Sequence, residues 1–402
     1  MVVPVTTAMP ARGRPLPGGP ASDGQQPARR RSDLLLGGLG VVGLVAALAA
    51  RPAEARGAAS QDWPPFVLVA GLLLIGLVAN GDGLFAAAGY RLSRLANSGV
   101  ALFAGSVVLV GVVTAVLNLD TSVAFLTPVL VYTARSRGGG EAPLLYGCLL
   151  LSNAGSLFLP GSNLTNLIVL GQLHLSGARF FSRMWAPALA GLLVTAFAVA
   201  VLERRGLRVG RGDAVEPPRR SFGLGLVAIV AATALIVVLA APALPVAAVG
   251  IAAVGIRVAA GQRTRREVSE VLGMPVLVGL FGVAVALGTL GRAWSGPSEL
   301  VGNLDSWGTA FVSALGAVLF NNLPAASLLA ARVPERPLSL LIGLDLGPNL
   351  CVTGSLAWLL WLRSARSAGA RPSLARASRI GVVAVPLSMA AALGVLALGS
   401  FR

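Results

Sequence analysis

The chain contains no lysine, one histidine and two cysteines, and only 5% of it is aromatic. Each scarcity removes a class of function. A Walker A phosphate loop needs its lysine, so this chain is not itself a primary ATP-driven pump. His174 stands alone in an expected loop, where it reads as a solvated residue. With no clustered metal ligands and no nucleophile–histidine spacing, a membrane-embedded enzyme is disfavoured. Cys148 and Cys351 lie far apart inside apolar segments and suggest neither a disulfide framework nor a metal cluster. Charge is scarce too, at 12% of residues.

Hydrophobic residues make up 55% of the 402 positions, and the mean hydropathy is +0.79. Apolar segments fall at about 33–50, 64–89, 98–133, 142–171, 184–202, 222–240, 243–258, 271–290, 307–331, 338–362 and 380–399. Most approach the ~20 residues a bilayer-spanning helix needs, and they are apolar all round rather than striped. The expectation is an all-α polytopic protein of the cell (plasma or inner) membrane, with the lipid bilayer as its surroundings. The net charge of +16 is carried by arginine in short loops, so it reads as a topology signal and not as a nucleic-acid surface.

Residues 1–32 are rich in Pro, Gly, Arg and Gln and read as a disordered basic cytoplasmic tail. The stretch that follows has the basic start and apolar run of a secretory signal. Its length and the spans beyond it favour a retained first helix. Arginine-rich loops at the tail, 90–97, 134–141, 203–221, 257–270 and 363–379 are cytoplasmic under the positive-inside rule.

Segment 98–133 has basic loops at both ends, and it is too long for one span and short for two. A re-entrant helical hairpin tipped near "LNLDTS" (117–122) resolves this. By the same count 307–331 starts and ends on the outer side, with its tip at "FNNLP" (320–324). Asp305 and Glu299, in the outer loop before it, read as solvated. Each hairpin precedes a broken segment, "SNAGSLFLPGSNLTNLIVLG" (152–171) and "GLDLGPNLCVTGSLAWLLWL" (343–362). Superposed, Asn153 meets Asp345 and Gly155 meets Gly347; after a one-residue slip, Gly161-Ser162 meets Gly354-Ser355. The chain therefore reads as two inverted-topology repeats, 33–202 and 222–402, joined by the basic cytoplasmic linker 203–221. Each repeat holds a re-entrant hairpin and a broken transmembrane helix, an architecture of secondary transporters.

Non-helical backbone survives at membrane depth only where protein or a watery cavity satisfies it. Asn, Ser and Thr add donors and acceptors without buried charge. Pro and Gly are also ordinary in membrane helices, and Asn can simply join helices, but four motifs paired by repeat and by loop charge outweigh that reading. The intramembrane acids are sharper. A carboxylate at the bilayer centre costs at least ~2.5 kcal/mol, so such an acid is a functional candidate by default. Asp120 and Asp345 are the candidates for proton coupling, with Asp82 in "VANGDGLF" a third.

The stretches "LNLDTSVAFLTP", "SNAGSLFLPGSNLTNLI", "FNNLPA" and "GLDLGPNLCVTGSLAWLLWLR" carry a resemblance. Across roughly 64–400 the chain resembles the arsenite/antimonite permease (ArsB) family. That family belongs to the ion transporter superfamily, which also holds NhaD-type sodium/proton antiporters and divalent-anion/sodium symporters. Its first hairpin tip often reads Asn-Asp; here it is Leu119-Asp120, with Asn118 one step earlier. The resemblance implies a binding site built by Asn118, Asp120, Thr121, Ser162, Asn163, Asn166, Asn321, Asn322, Asp345, Asn349, Thr353 and Ser355, with no cofactor. It also implies efflux of neutral arsenite-type hydroxides in exchange for protons. Two cysteines cannot form a three-thiolate arsenic site, so amides, hydroxyls and backbone dipoles would handle the cargo. Sodium/proton antiport and anion/sodium symport remain alternatives. A homodimer, and a peripheral ATPase docked on the basic loops, remain open as partners.

Overall fold

The computed structural model describes residues 26–171, 173, 175–208 and 223–399. Its regular elements are helices. In the first half these are α1 (Gln26–Ala50), α2 (Pro52–Gly81), α3 (Leu84–Leu95), α4 (Gly99–Val116), α5 (Leu119–Ser136), α6 (Ala142–Gly155), α7 (Leu164–Leu170) and α8 (Gly177–Leu202). The second half has α9 (Leu224–Val238), α10 (Ala243–Ala259), α11 (Arg265–Leu272), α12 (Met274–Ala293), α13 (Gly296–Gly302), α14 (Ser306–Phe320), α15 (Asn322–Leu329), α16 (Pro337–Leu346), α17 (Ala357–Ser367) and α18 (Leu374–Gly399). Six of the described helical stretches are long and apolar enough to cross a membrane.

The two hairpins are formed by local signals in the sequence. Ser98 caps α4 by accepting from the Ala101 amide at 3.1 Å, and Asn118 caps α5 by accepting from the Thr121 amide at 2.6 Å. The helical run breaks at Leu117–Asn118. The chain then returns to its start, where the Arg137 guanidinium donates to the Ala96 carbonyl at 2.6 Å. The second hairpin, α14 and α15, breaks at Asn321 and closes at its base through Arg336 donating to the Gly302 carbonyl at 3.2 Å. Asp305, read from sequence as merely solvated, caps α14 by accepting from the Gly308 amide at 2.7 Å.

The broken segments run through the middle of the molecule. Every residue of α6 from Pro143 to Gly155 is buried, as is α16 from Ser339 to Leu346. Helices apolar all round belong in such a position. The chain leaves the first hairpin's base through α6, unwinds over 156–163 and continues as α7. The end of α7 lies beside the end of α15, since the Gln61 amide donates to both the Ile168 and the Ala330 carbonyls. Conversely, α16 leaves the second hairpin's base, unwinds over 347–356 and continues as α17. The C-terminal carbonyls of Ala368 and Gly369 accept from Arg135 at 2.9 Å each, next to the first hairpin's base. The two broken segments are thus antiparallel, and each ends against the hairpin of the other half.

Three boundaries differ from the sequence reading. Helix α1 begins at Gln26, so residues 26–32 are helical rather than part of a disordered tail; residues 1–25 lie outside the described residues. Helix α2 begins at Pro52, not near 64, and carries Pro64 and Pro65 inside it. Pro52 at the first helical position and Glu54 in the first turn suit a helix start, and that start moves the polar stretch "QDW" into the helix. The segment 64–89 is also divided. Helix α2 stops at Gly81, Gly83 takes φ +79°, and α3 departs as a separate helix. His174 and the linker residues 209–221 lie outside the described residues; the linker opens with a 3-10 turn over Arg204–Leu207.

Candidate functional site

The tips of the two hairpins and the two unwound segments converge on one point. A cavity of about 20 Å³ is lined there by Asp120 and Leu119 of the first tip and by Asn321, Asn322 and Leu323 of the second. Asn163 and Leu164 come from the first unwound segment, Ser355 and Leu356 from the second, and Leu280 from α12. Such a volume holds about one water-sized group. Five of the residues singled out from sequence therefore share one wall: Asp120, Asn163, Asn321, Asn322 and Ser355.

Behind that wall lies Asp345, at the end of α16 and fully buried. Its carboxylate accepts from Thr165 Oγ1 at 2.6 Å, Asn163 Nδ2 at 3.0 Å and Ser156 Oγ at 3.0 Å. All three donors belong to the other half of the chain. Asn349 makes a second cross-link: its Oδ1 accepts from Asn153 Nδ2 at 2.8 Å, and its Nδ2 donates to the Leu150 carbonyl at 3.0 Å. The Ser355 hydroxyl donates towards Asn153 Oδ1 at 3.5 Å. Antiparallel broken helices thus exchange hydrogen bonds through their polar side chains where their backbones cannot pair.

The remaining predicted residues shape the loops. Ser162 donates to the Ser156 and Leu159 carbonyls, and Asn166 Nδ2 donates to the same two at 2.7 and 3.2 Å. Thr353 Oγ1 donates to the Val318 carbonyl at 2.7 Å, and the Thr353 carbonyl accepts from Asn321 Nδ2 at 3.1 Å. The Asn322 amide donates to the Gly354 carbonyl at 2.9 Å. The second tip is therefore held by the unwound strand beside it.

Asn118 Nδ2, Thr121 Oγ1 and Asn166 Oδ1 are buried and have no hydrogen-bond partner. Buried polar groups are normally paired. Three orphans in the two elements that meet at the cavity's first-half side mark polar capacity that the protein does not itself use.

Asp82 does not join this cluster. Its carboxylate pairs with the Arg257 guanidinium and accepts from the Gly225 amide at 2.7 Å. It ties the end of α2 to α9 and α10. The sequence reading missed Ser156, Thr165 and Asn153, although all three lie within or beside the quoted motif 152–171. The signal was present for Asn153, which superposed on Asp345 in the repeat alignment.

An all-helical membrane protein with two tip-to-tip hairpins and two unwound polar segments is a membrane transporter in class. The chain belongs to the family described as "Citrate transporter" (CitMHS), whose model matches residues 34–350. It is 26% identical over 337 residues to the arsenical pump membrane protein of Escherichia coli K12, covering 75% of this chain and 78% of that protein. The arsenical pump membrane protein of Yersinia enterocolitica is 24% identical over 335 residues, with the same coverage. Among solved structures, the Alcanivorax borkumensis YdaH transporter, described as having an unusual topology, shares the fold with a TM-score of 0.54. That match has 14% identity and covers 86% of each chain.

Proposed function

We propose that this protein is a secondary active transporter that exchanges protons for a small, neutral, oxygen-rich solute, with arsenite or antimonite hydroxide as the leading cargo. The observation that carries this reading is the make-up of the cavity wall: one carboxyl, three amides and a hydroxyl, with no arginine. A polyanion such as citrate would meet Asp120 in front and Asp345 behind, with no cation to offset them. A neutral hydroxide finds donors and acceptors at no such cost. The narrow cavity favours a small solute on the same side. The likeness to arsenical pump membrane proteins agrees with that chemistry. Asp120 and Asp345 are the proton-carrying groups. Asp82, engaged by Arg257, is a clamp.

Two repeats of inverted topology complete the reading, with the hairpins entering from opposite faces. The face with Arg135, Arg137, Arg204, Arg205 and Arg257 is cytoplasmic by the positive-inside rule, as is the start of α1. Alternating access then follows from opening one hairpin's side at a time.

Uptake of labelled arsenite into everted membrane vesicles, with and without a proton gradient, tests this directly. Gradient-dependent accumulation, with most of it lost in Asp120→Asn and Asp345→Asn at unchanged membrane abundance, is expected. Wild-type accumulation in both variants overturns the coupling assignment. Accumulation driven by a sodium gradient instead would move the protein to the sodium-coupled members of the superfamily.

A further inference from the structure

Asp62 lies on α2 and is 1% exposed. One of its carboxyl oxygens, Oδ2, has no hydrogen-bond partner. The Ser327 hydroxyl of α15 and the Arg292 guanidinium of α12 lie beside the carboxyl. Arg292 spends its shortest bond elsewhere, donating from Nη2 to Gln61 Oε1 at 2.6 Å. Gln61 Nε2 in turn donates to the Ile168 carbonyl at 2.9 Å and the Ala330 carbonyl at 3.1 Å. One amide therefore joins the far end of α7 to the base of the second hairpin, and its oxygen accepts from an arginine whose charge also acts on Asp62.

Arg292 is the only titratable side chain on α12, and α7 and α15 carry none. On α2 itself, Glu54 and Arg56 lie six to eight residues earlier, and Arg56 is exposed. The state of Asp62 is thus set locally by Arg292, Ser327 and the helices around them. A carboxylate that is buried with an unpartnered oxygen is costly unless a cation closes on it. A carboxyl bearing a proton instead needs only an acceptor. The structure shows Arg292 on Gln61, the arrangement that suits a protonated Asp62; an ionised Asp62 would draw the guanidinium towards itself and weaken its bond to Gln61.

We propose that Asp62 is a second proton-binding site, at the base of the second hairpin, whose occupancy sets whether Gln61 clamps that hairpin to α7. This rests on the proton-coupled reading above and extends it. Protons at the cavity would be sensed by Asp120 and Asp345, while a proton at Asp62 fixes the hairpin end that must move.

Infrared difference spectroscopy of the purified full-length protein in lipid nanodiscs, titrated with pH, tests the site without using any cargo. The protonated-carboxyl band of the wild type should contain a component that Asp62→Asn loses, that Asp62→Glu keeps at a shifted frequency, and that Asp345→Asn keeps unshifted. Superimposable titrations of wild type and Asp62→Asn overturn the proposal. Hydrogen exchange at the last turn of α15 reads the clamp. After correction for the intrinsic base-catalysed rise of exchange with pH, wild-type protection should fall several-fold across the same pH range in which that band disappears, while the protection of Asp62→Asn should not change with pH; parallel protection profiles overturn it. A protein that moves no arsenite yet shows both signatures removes the cargo reading and keeps this one. Proton-driven arsenite uptake with superimposable spectra does the reverse.

Discussion

Asn321 takes φ +80° and ψ 147° at the second tip, the one described non-glycine residue with positive φ. That region is almost exclusively glycine's and costs of order 1–3 kcal/mol for any other side chain. The strain persists because the side chain is used twice. Its Oδ1 accepts from the Leu323 amide at 3.4 Å to cap α15, and its Nδ2 holds the Thr353 carbonyl. Asn321→Ala keeps the strain and loses both bonds; Asn321→Gly loses the bonds but relaxes the backbone. The alanine variant should therefore be the less stable by about 1–2 kcal/mol, read as a lower melting temperature in detergent. A glycine variant that melts below the alanine variant would show that relief of strain at this tip is outweighed by glycine's extra freedom in the unfolded chain. Thr165 is also committed to the site, its buried hydroxyl donating to the Asp345 carboxylate at 2.6 Å.

At the scale of elements, the site depends on how closely the second hairpin lies on the second broken helix. A Cβ on Gly343 of α16 would stand 2.1 Å from both the Ala310 carbonyl oxygen and the Ser313 hydroxyl of α14. Backbone cannot yield there, so Gly343→Leu should cost at least the 1–3 kcal/mol typical of overpacking and reduce folded yield sharply. Gly255→Leu, on α10 with nothing within 4 Å, should leave the melting temperature unchanged. Equal losses in the two variants would point to a general intolerance of bulk and not to this crossing. The hairpins and broken helices were legible in the sequence because Asn, Asp and Pro in an apolar run conflict with a continuous helix. The Asp345 network was half legible: the acid stood out, whereas Ser156 and Thr165 became donors only when the antiparallel segment was laid across it. Asp62 was not legible. "QDWPP" looks like a polar loop before a span, and the arginine that gives it meaning is 230 residues further on. The start of α2 was misplaced for the same reason, since Pro64-Pro65 resembles a boundary until the helix is seen to run through it.

At the scale of the whole molecule, each hairpin is braced by the other half of the chain. Arg135 at the first base caps α17, and Gln61 joins the second base to α7. Neither half encloses the cavity alone, because Asp120 and Asn163 come from one and Asn321 and Ser355 from the other. Opening one base while the other stays braced would connect the cavity to one face only, which is the requirement for exchange without leak. This arrangement needs the two bases to lie on opposite faces of the bilayer. In a Cys351→Ser background, with Cys148 buried, single cysteines at Asn97 and Ser136 should react with a membrane-impermeant maleimide from one face. Cysteines at Asn303 and Val333 should react only from the other. Labelling of all four from one face would remove the inverted repeat and with it the alternating mechanism. Labelling of 97 and 136 from opposite faces would turn α4 and α5 into one broken segment that crosses the bilayer a single time. The hydrogen bond from the Arg137 guanidinium to the Ala96 carbonyl argues against that second outcome: ends that one side chain bridges cannot be separated by about 30 Å of hydrocarbon.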